Sequence, residues 1–103
     1  MDLGDFKHFT DPSILILSSL AGGSKHGYGM MVDIETMTGI RLGPGTLYGA
    51  LARLESSGLI EAGELKDRRR PYHLTRVGIQ ALREQLSLLE KLAATGLKRL
   101  AME

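Results

Sequence analysis

Three consecutive arginines, Arg68, Arg69 and Arg70, sit in the stretch "LIEAGELKDRRRPYHLT" and run directly into Pro71. A guanidinium stays charged at any physiological pH and presents a rigid fork of N–H donors that fits phosphate or carboxylate oxygens. A second group lies upstream at helical spacing, where Thr46, Tyr48 and Arg53 border the small residues Gly45, Gly49, Ala52 and Ser56. Hydroxyls and a guanidinium around a face without bulk suit close approach to a polar, anionic surface. Neither group suits bond-breaking chemistry: no nucleophile elbow, zinc motif or carboxylate pair accompanies them, and the chain reads as a non-enzyme. Gly22-Gly23-Ser24-Lys25 lacks the spacing of a nucleotide phosphate loop. His8, His26 and His73 stand too far apart for a helical or knuckle metal site, so neither metal nor cofactor is expected.

Each group also has a plainer reading. An arginine run in a loop, taken alone, is more often solvated surface than a binding site. Tyr48 is equally compatible with a ring packed in the core, and Arg53 with a local ion pair. His26, beside Gly27, reads as a turn or capping residue rather than a ligand or base. Position in the fold decides among these readings.

A chain of 103 residues is one small domain, which buries only about two-thirds of its unfolded surface. Cysteine is absent, so disulfides cannot add stability, and a partner subunit is the remaining remedy. The apolar run "ILIL" at 14–17 is far short of a membrane span, and the N-terminal residues have no signal-peptide pattern. A soluble, cytoplasmic protein without repeats or a second domain is expected. The net charge of +1 hides a polarity along the chain, from −3 over residues 1–39 to +3 over residues 40–77. A basic segment on a neutral chain is compatible with nucleic acid.

Glycine and proline divide the chain. Asp11-Pro12 predicts a helix start, and Ile14, Leu15, Leu17 and Leu20 carry the helix over about 12–21, with a buried strand as the alternative. Met30, Met31, Ile34 and Met37 place a second helix at about 28–38, closed by Gly39. A third opens at Gly43-Pro44 and ends at Ser57-Gly58, with Leu47, Leu51 and Leu54 on one stripe and the small residues opposite. Gly49 in mid-helix costs about 1 kcal/mol relative to alanine, which close approach of a partner to the backbone would justify. "LIEAGEL" and "PYHL" then read as short strands around the five-residue connection "KDRRR", with Tyr72 and Leu74 inward and His73 outward. Thr75 caps a final helix of about 25 residues. Along it Leu82, Leu86, Leu89 and Ala93 continue one apolar stripe from Ile79, and Leu88, Leu92 and Leu97 form another beside it. So wide an apolar arc asks for a second copy of the chain.

This order is that of a winged helix-turn-helix: mainly α with a small two-stranded β-hairpin, a DNA-binding unit over residues 1–76 with its leader, and a dimerisation helix over residues 77–103. The third helix would enter the major groove and the arginines would occupy the tip of the wing. Within this frame "HGYGMMVDIE", "GTLYGALARLESSGLIEAGE" and "RRRPYHLTRVGIQAL" resemble, in order and spacing over about residues 13–83, the PadR family of bacterial transcriptional regulators. The resemblance implies a homodimeric repressor of the short subclass that binds an operator in double-stranded DNA. It implies DNA-facing positions at Gly45, Thr46, Tyr48, Arg53, Arg68, Arg69 and Arg70, and dimer contacts through the terminal helix, read here as Leu82, Leu86, Leu89, Ala93 and Leu97. It also implies release by a small-molecule or other signal, and some members of the family hold a small-molecule effector at the dimer interface. Gly49 departs from the proline that many members carry after the tyrosine. Without tryptophan, a tryptophan-based stacking site is excluded, and the leader residues Phe6 and Phe9 are candidates to cover the interface.

Overall fold

The computed structural model describes residues 11–103. The leader containing Phe6, Phe9 and His8 lies outside them. Helices α1 (Pro12–Leu20), α2 (Gly27–Thr38) and α3 (Pro44–Ser56) precede strands β1 (Ile60–Ala62) and β2 (Tyr72–Leu74), and α4 (Arg76–Ala101) ends the described chain.

The first helix begins where Asp11 accepts the Ser13 amide at 2.9 Å and Pro12 fills the first helical position. Its interior is buried on several sides, with Leu15, Ile16, Leu17, Ser19 and Leu20 in the core, because α2, α3, β2 and α4 all pack on it. That central role explains an apolar run without a polar face, which fits a helix as readily as a strand. At its end the buried Ser19 hydroxyl donates to Asp33 at 2.7 Å, and Lys25 donates to the Ser19 carbonyl while standing 3.8 Å from the same carboxylate. This polar knot ties α1, the following turn and α2 together without leaving a buried side-chain atom unpaired among the described residues.

His26 caps α2 by accepting the Gly29 amide, and Gly39 closes the helix in the left-handed region at φ 76°. Met30 and Ile34 are fully buried and Met31 packs partly against the core. Met37 lies on the same helical face as the buried Met30 but is half exposed, since the core does not extend to the last turn of α2. Arg41 donates two hydrogen bonds to the Glu35 carboxylate and holds it below the usual carboxylate range. The pair is exposed and pins the loop leading into α3 with little energetic weight.

Leu47, Ala50, Leu51 and Leu54 attach α3 to the core. The helix runs unbroken through Gly49 and ends in a Schellman motif: Gly58 takes φ 77°, and the amides of Leu59 and Gly58 return to the carbonyls of Leu54 and Glu55, each at 3.0 Å. Strands β1 and β2 pair antiparallel, Ile60 with Leu74 and Ala62 with Tyr72. Lys25 adds a two-bond bridge to Tyr72, so the turn before α2 acts as a third, one-residue strand.

Thr75 joins this assembly to α4. Its hydroxyl donates to the Gly58 carbonyl at 2.6 Å and accepts the Gly78 amide at 3.0 Å, while its own amide donates to the Leu59 carbonyl at 3.1 Å. A Cβ at Gly78 would clash with the Leu59 carbonyl oxygen. Beyond this joint α4 buries Leu82 and then leaves the domain, with Leu86, Leu88, Leu89, Leu92, Leu97 and Leu100 all exposed. Its 26 residues give a rod of roughly 39 Å.

Replacing Gly78 by alanine is expected to destabilise the fold by about 2–3 kcal/mol, because neither backbone can move without distorting the α3–β1 turn or the start of α4. Urea denaturation measures this directly, and an unchanged midpoint would show that the joint is loose.

Candidate nucleic-acid interface

The face of α3 opposite its leucines is open. Gly45, Thr46, Ala52, Arg53 and Ser56 are exposed and Gly49 is partly so. Among the described residues, and apart from the local helix backbone, nothing lies within 4 Å of a Cβ built at Gly45, and at Gly49 such an atom meets one flexible neighbour, the Arg53 guanidinium at 3.7 Å. No internal packing therefore requires glycine at either position. Arg53 makes no ion pair among the described residues, so the local-pairing alternative is not realised.

Tyr48 combines both of its readings. About half of it is exposed, at 52%, while its ring end rests on Gly27, where a Cβ would collide with the phenol oxygen. Gly27 thus makes room for the tyrosine at the crossing of α2 and α3. Tyr48 and Gly27 line a cleft together with His26 and Tyr28 of the α2 start and with Arg68, Arg69, Arg70 and Tyr72 of the wing. Burial, with Glu55 and Tyr48 adding, holds the Tyr72 phenol above its ordinary range, while Arg70 opposes the shift. The hydroxyl stays neutral and available as a donor.

The wing itself differs from the expected hairpin. Regular pairing stops at Ala62 and Tyr72, with one further bond from the Gly63 amide to the Pro71 carbonyl at 2.7 Å. It resumes nearer the tip, where Lys66 and Arg69 exchange two bonds of 2.8 and 2.9 Å around Asp67 and Arg68. Both central residues have positive φ, 51° and 64°, the signature of a type I′ turn. The tip of the connection is therefore the two-residue turn Asp67-Arg68 rather than a five-residue loop. The three arginines separate accordingly: Arg68 stands at the apex, Arg69 lies on the return with a guanidinium nitrogen 3.4 Å from His26 Nε2, and Arg70 stands beside Pro71.

His26, Gly27, Tyr28, Leu65 and Tyr72 line this cleft but were not in the sequence-based site. A signal for His26 was present, since it directly precedes the second helix, but its proximity to the wing depends on the Lys25–Tyr72 bridge. Among the five expected dimer residues, Leu82 is buried in its own chain, whereas Leu86, Leu89, Ala93 and Leu97 are exposed.

Three helices, a two-stranded wing and a long final helix define a winged helix-turn-helix protein. The sequence profile of the transcriptional regulator PadR-like family matches residues 16–84, and the chain belongs to that family. It is 45% identical over 83 residues, 81% of its length, to an uncharacterised 37.1 kDa protein of transposon TN4556 from Streptomyces fradiae, but spans only 24% of that relative. Among solved structures it is similar to a transcriptional regulator from Clostridium thermocellum, with a TM-score of 0.76, 27% identity and coverage of 95% and 96% of the two chains. Bacillus subtilis PadR in complex with operator DNA shares the fold at a TM-score of 0.65 and 24% identity, over 72% of this chain and 45% of that one.

Gly49→Ala should raise stability by about 0.5–1 kcal/mol, the ordinary difference between the two residues in a helix. A lower denaturation midpoint would mean that the glycine serves the fold rather than the surface.

Proposed function

We propose that the chain is a sequence-specific DNA-binding transcriptional regulator that acts in the cytoplasm as a homodimeric repressor. The observation that carries this reading is the open small-residue face of α3 beside an arginine-bearing wing. On a helix lying in the major groove, Gly45 and Gly49 let the backbone seat deeply, while Thr46, Tyr48 and Arg53 supply groups for base edges and phosphates. The amides at the start of α3, beyond Pro44, meet a phosphate. Arg69 and Arg70 grip the backbone next to the groove. Bacillus subtilis PadR, which has the same fold, is known in complex with operator DNA, and this supports DNA as the partner.

The exposed leucines of α4 support the homodimer. A two-fold pairing through Leu86, Leu89, Ala93 and Leu97 would set two copies of α3 about one turn of DNA apart, matching a palindromic operator. Leu82, which belongs to the domain core, underlies this seam. The groove between α1 and α4 is lined by the apolar residues Leu20, Leu74, Ile79 and Leu86 and by the polar residues His73, Arg83 and Glu90. A second copy closing it would create the site of a small-molecule effector that releases the DNA. Among the described residues no helix is long and apolar enough to cross a membrane. A second reading, a winged helix that docks another protein on the small face of α3, draws on the net charge of only +1. Gel shifts with the promoter of its own gene separate the two, because a dimer without a sequence-preferring band favours protein docking.

Changing Arg68, Arg69 and Arg70 together to alanine should weaken binding to all sequences and flatten the log–log salt dependence by about 0.9 for each phosphate that the variant no longer neutralises. An unaltered salt slope would remove these arginines from the interface. Glutamate at Leu86 or Leu89 should yield monomeric or unfolded protein by light scattering and circular dichroism. A dimer that melts like the parent would place the seam elsewhere.

A further inference from the structure

We propose that DNA binding by this protein is linked to a proton at His26: the imidazole gains a proton when phosphates settle on the cleft, so affinity rises as the pH falls through the histidine range. The assignment rests on the DNA-binding reading above. Its starting point is a count of lone pairs. His26 Nδ1 lies 3.4 Å from the Gly29 amide that it caps, and His26 Nε2 lies 3.4 Å from an Arg69 guanidinium nitrogen. Both partners can only donate, whereas a neutral imidazole offers one lone pair and an imidazolium none. The ring therefore satisfies one of the two contacts at a time, and a second proton removes whichever it makes.

The half-buried ring faces charge from one direction, the wing. Lys66, Asp67 and Arg69 line the hollow on one side of it, and Arg68 and Arg70 join Arg69 in the cleft on the other. The starts of α2 and α3 contribute the phenols of Tyr28 and Tyr48, and β2 that of Tyr72. Lys25 precedes the ring, but its ammonium is turned to the Ser19 carbonyl and Asp33. In the free chain a second proton thus joins a cluster of cations that Asp67 alone offsets. DNA inverts this balance. Phosphates neutralise the wing, draw Arg69 away from Nε2 and accept hydrogen bonds from the ring, and an anion at such short range favours the charged imidazole. What the ring then forgoes is one cap bond that is longer than the usual range. A group that holds its proton more tightly in the complex strengthens binding at low pH, and the contribution is lost as pH rises through its range in the complex.

The test uses a duplex enriched by the full-length protein from a randomised library, titrated by calorimetry at about pH 7 in two buffers of small and large ionisation enthalpy. The two apparent enthalpies should differ by the uptake of up to about one proton per bound protomer, and affinity should fall about threefold or more from pH 6 to pH 8. His26→Asn keeps a side chain that caps α2 but does not titrate, and it should lose most of both effects while still binding. By NMR, the imidazole C2 proton signal that His26→Asn removes should titrate at higher pH in the complex than in the free protein. Equal wild-type enthalpies in the two buffers, proton uptake undiminished in His26→Asn, or a His26 titration that DNA leaves in place would overturn the assignment. If the library yields no enriched duplex at all, the DNA-binding reading fails first and this one with it.

Discussion

The close approach of the Gly78 backbone to the Leu59 carbonyl sets the relative placement of every other functional element. The carbonyls of Gly58 and Leu59 both serve Thr75, and Thr75 in turn caps α4. The end of α3, the root of β1, the end of β2 and the start of α4 thus meet in a handful of residues joined mostly through main-chain atoms. Main chain is the least adjustable material in a packed interior. The angle between the small-residue face of α3 and the leucine stripe of α4 is therefore fixed by geometry that side-chain motion cannot relax.

Two surfaces of the domain are kept at the expense of its own stability. One is the face of α3, where glycines weaken a helix held to the core by Leu47, Leu51 and Leu54. The other is the outer two-thirds of α4, where leucines stay in water although helical spacing would have allowed polar residues. A chain that needed only to fold would have neither. Both make physical sense under the proposed function, in which one face meets a grooved polyanion and the other a copy of the chain.

Much of this was legible in the sequence. The helix boundaries followed from Asp11-Pro12, Gly39, Gly43-Pro44 and Ser57-Gly58, because glycine, proline and capping residues act locally. The inward Tyr72 and Leu74 followed from strand alternation. The tip of the wing was not legible: Asp67-Arg68 does not spell a type I′ turn, and the unpaired Glu64 and Leu65 interrupt the ladder that would have revealed it. Nor was the cleft, since His26 and Arg69 are distant in sequence and meet only through a single-residue bridge. Gly78 was visible in the block "RRRPYHLTRVGIQAL", but its meaning required knowing what lay above it. Met37 followed the apolar spacing and still faces solvent, as periodicity fixes a face but not how far the core extends along it.

The bridge between Lys25 and Tyr72 has a mechanical consequence. It clamps the root of the wing from one side while β1 clamps it from the other, so the hairpin is stiff up to Pro71. Past that point one isolated pair of hydrogen bonds holds the strands together. The wing is built like a fishing rod, rigid at the handle and compliant at the tip, and the compliant part carries the arginines. A contact made at the tip can therefore be accommodated by the last residues of the wing without disturbing the packing of α3 on the core.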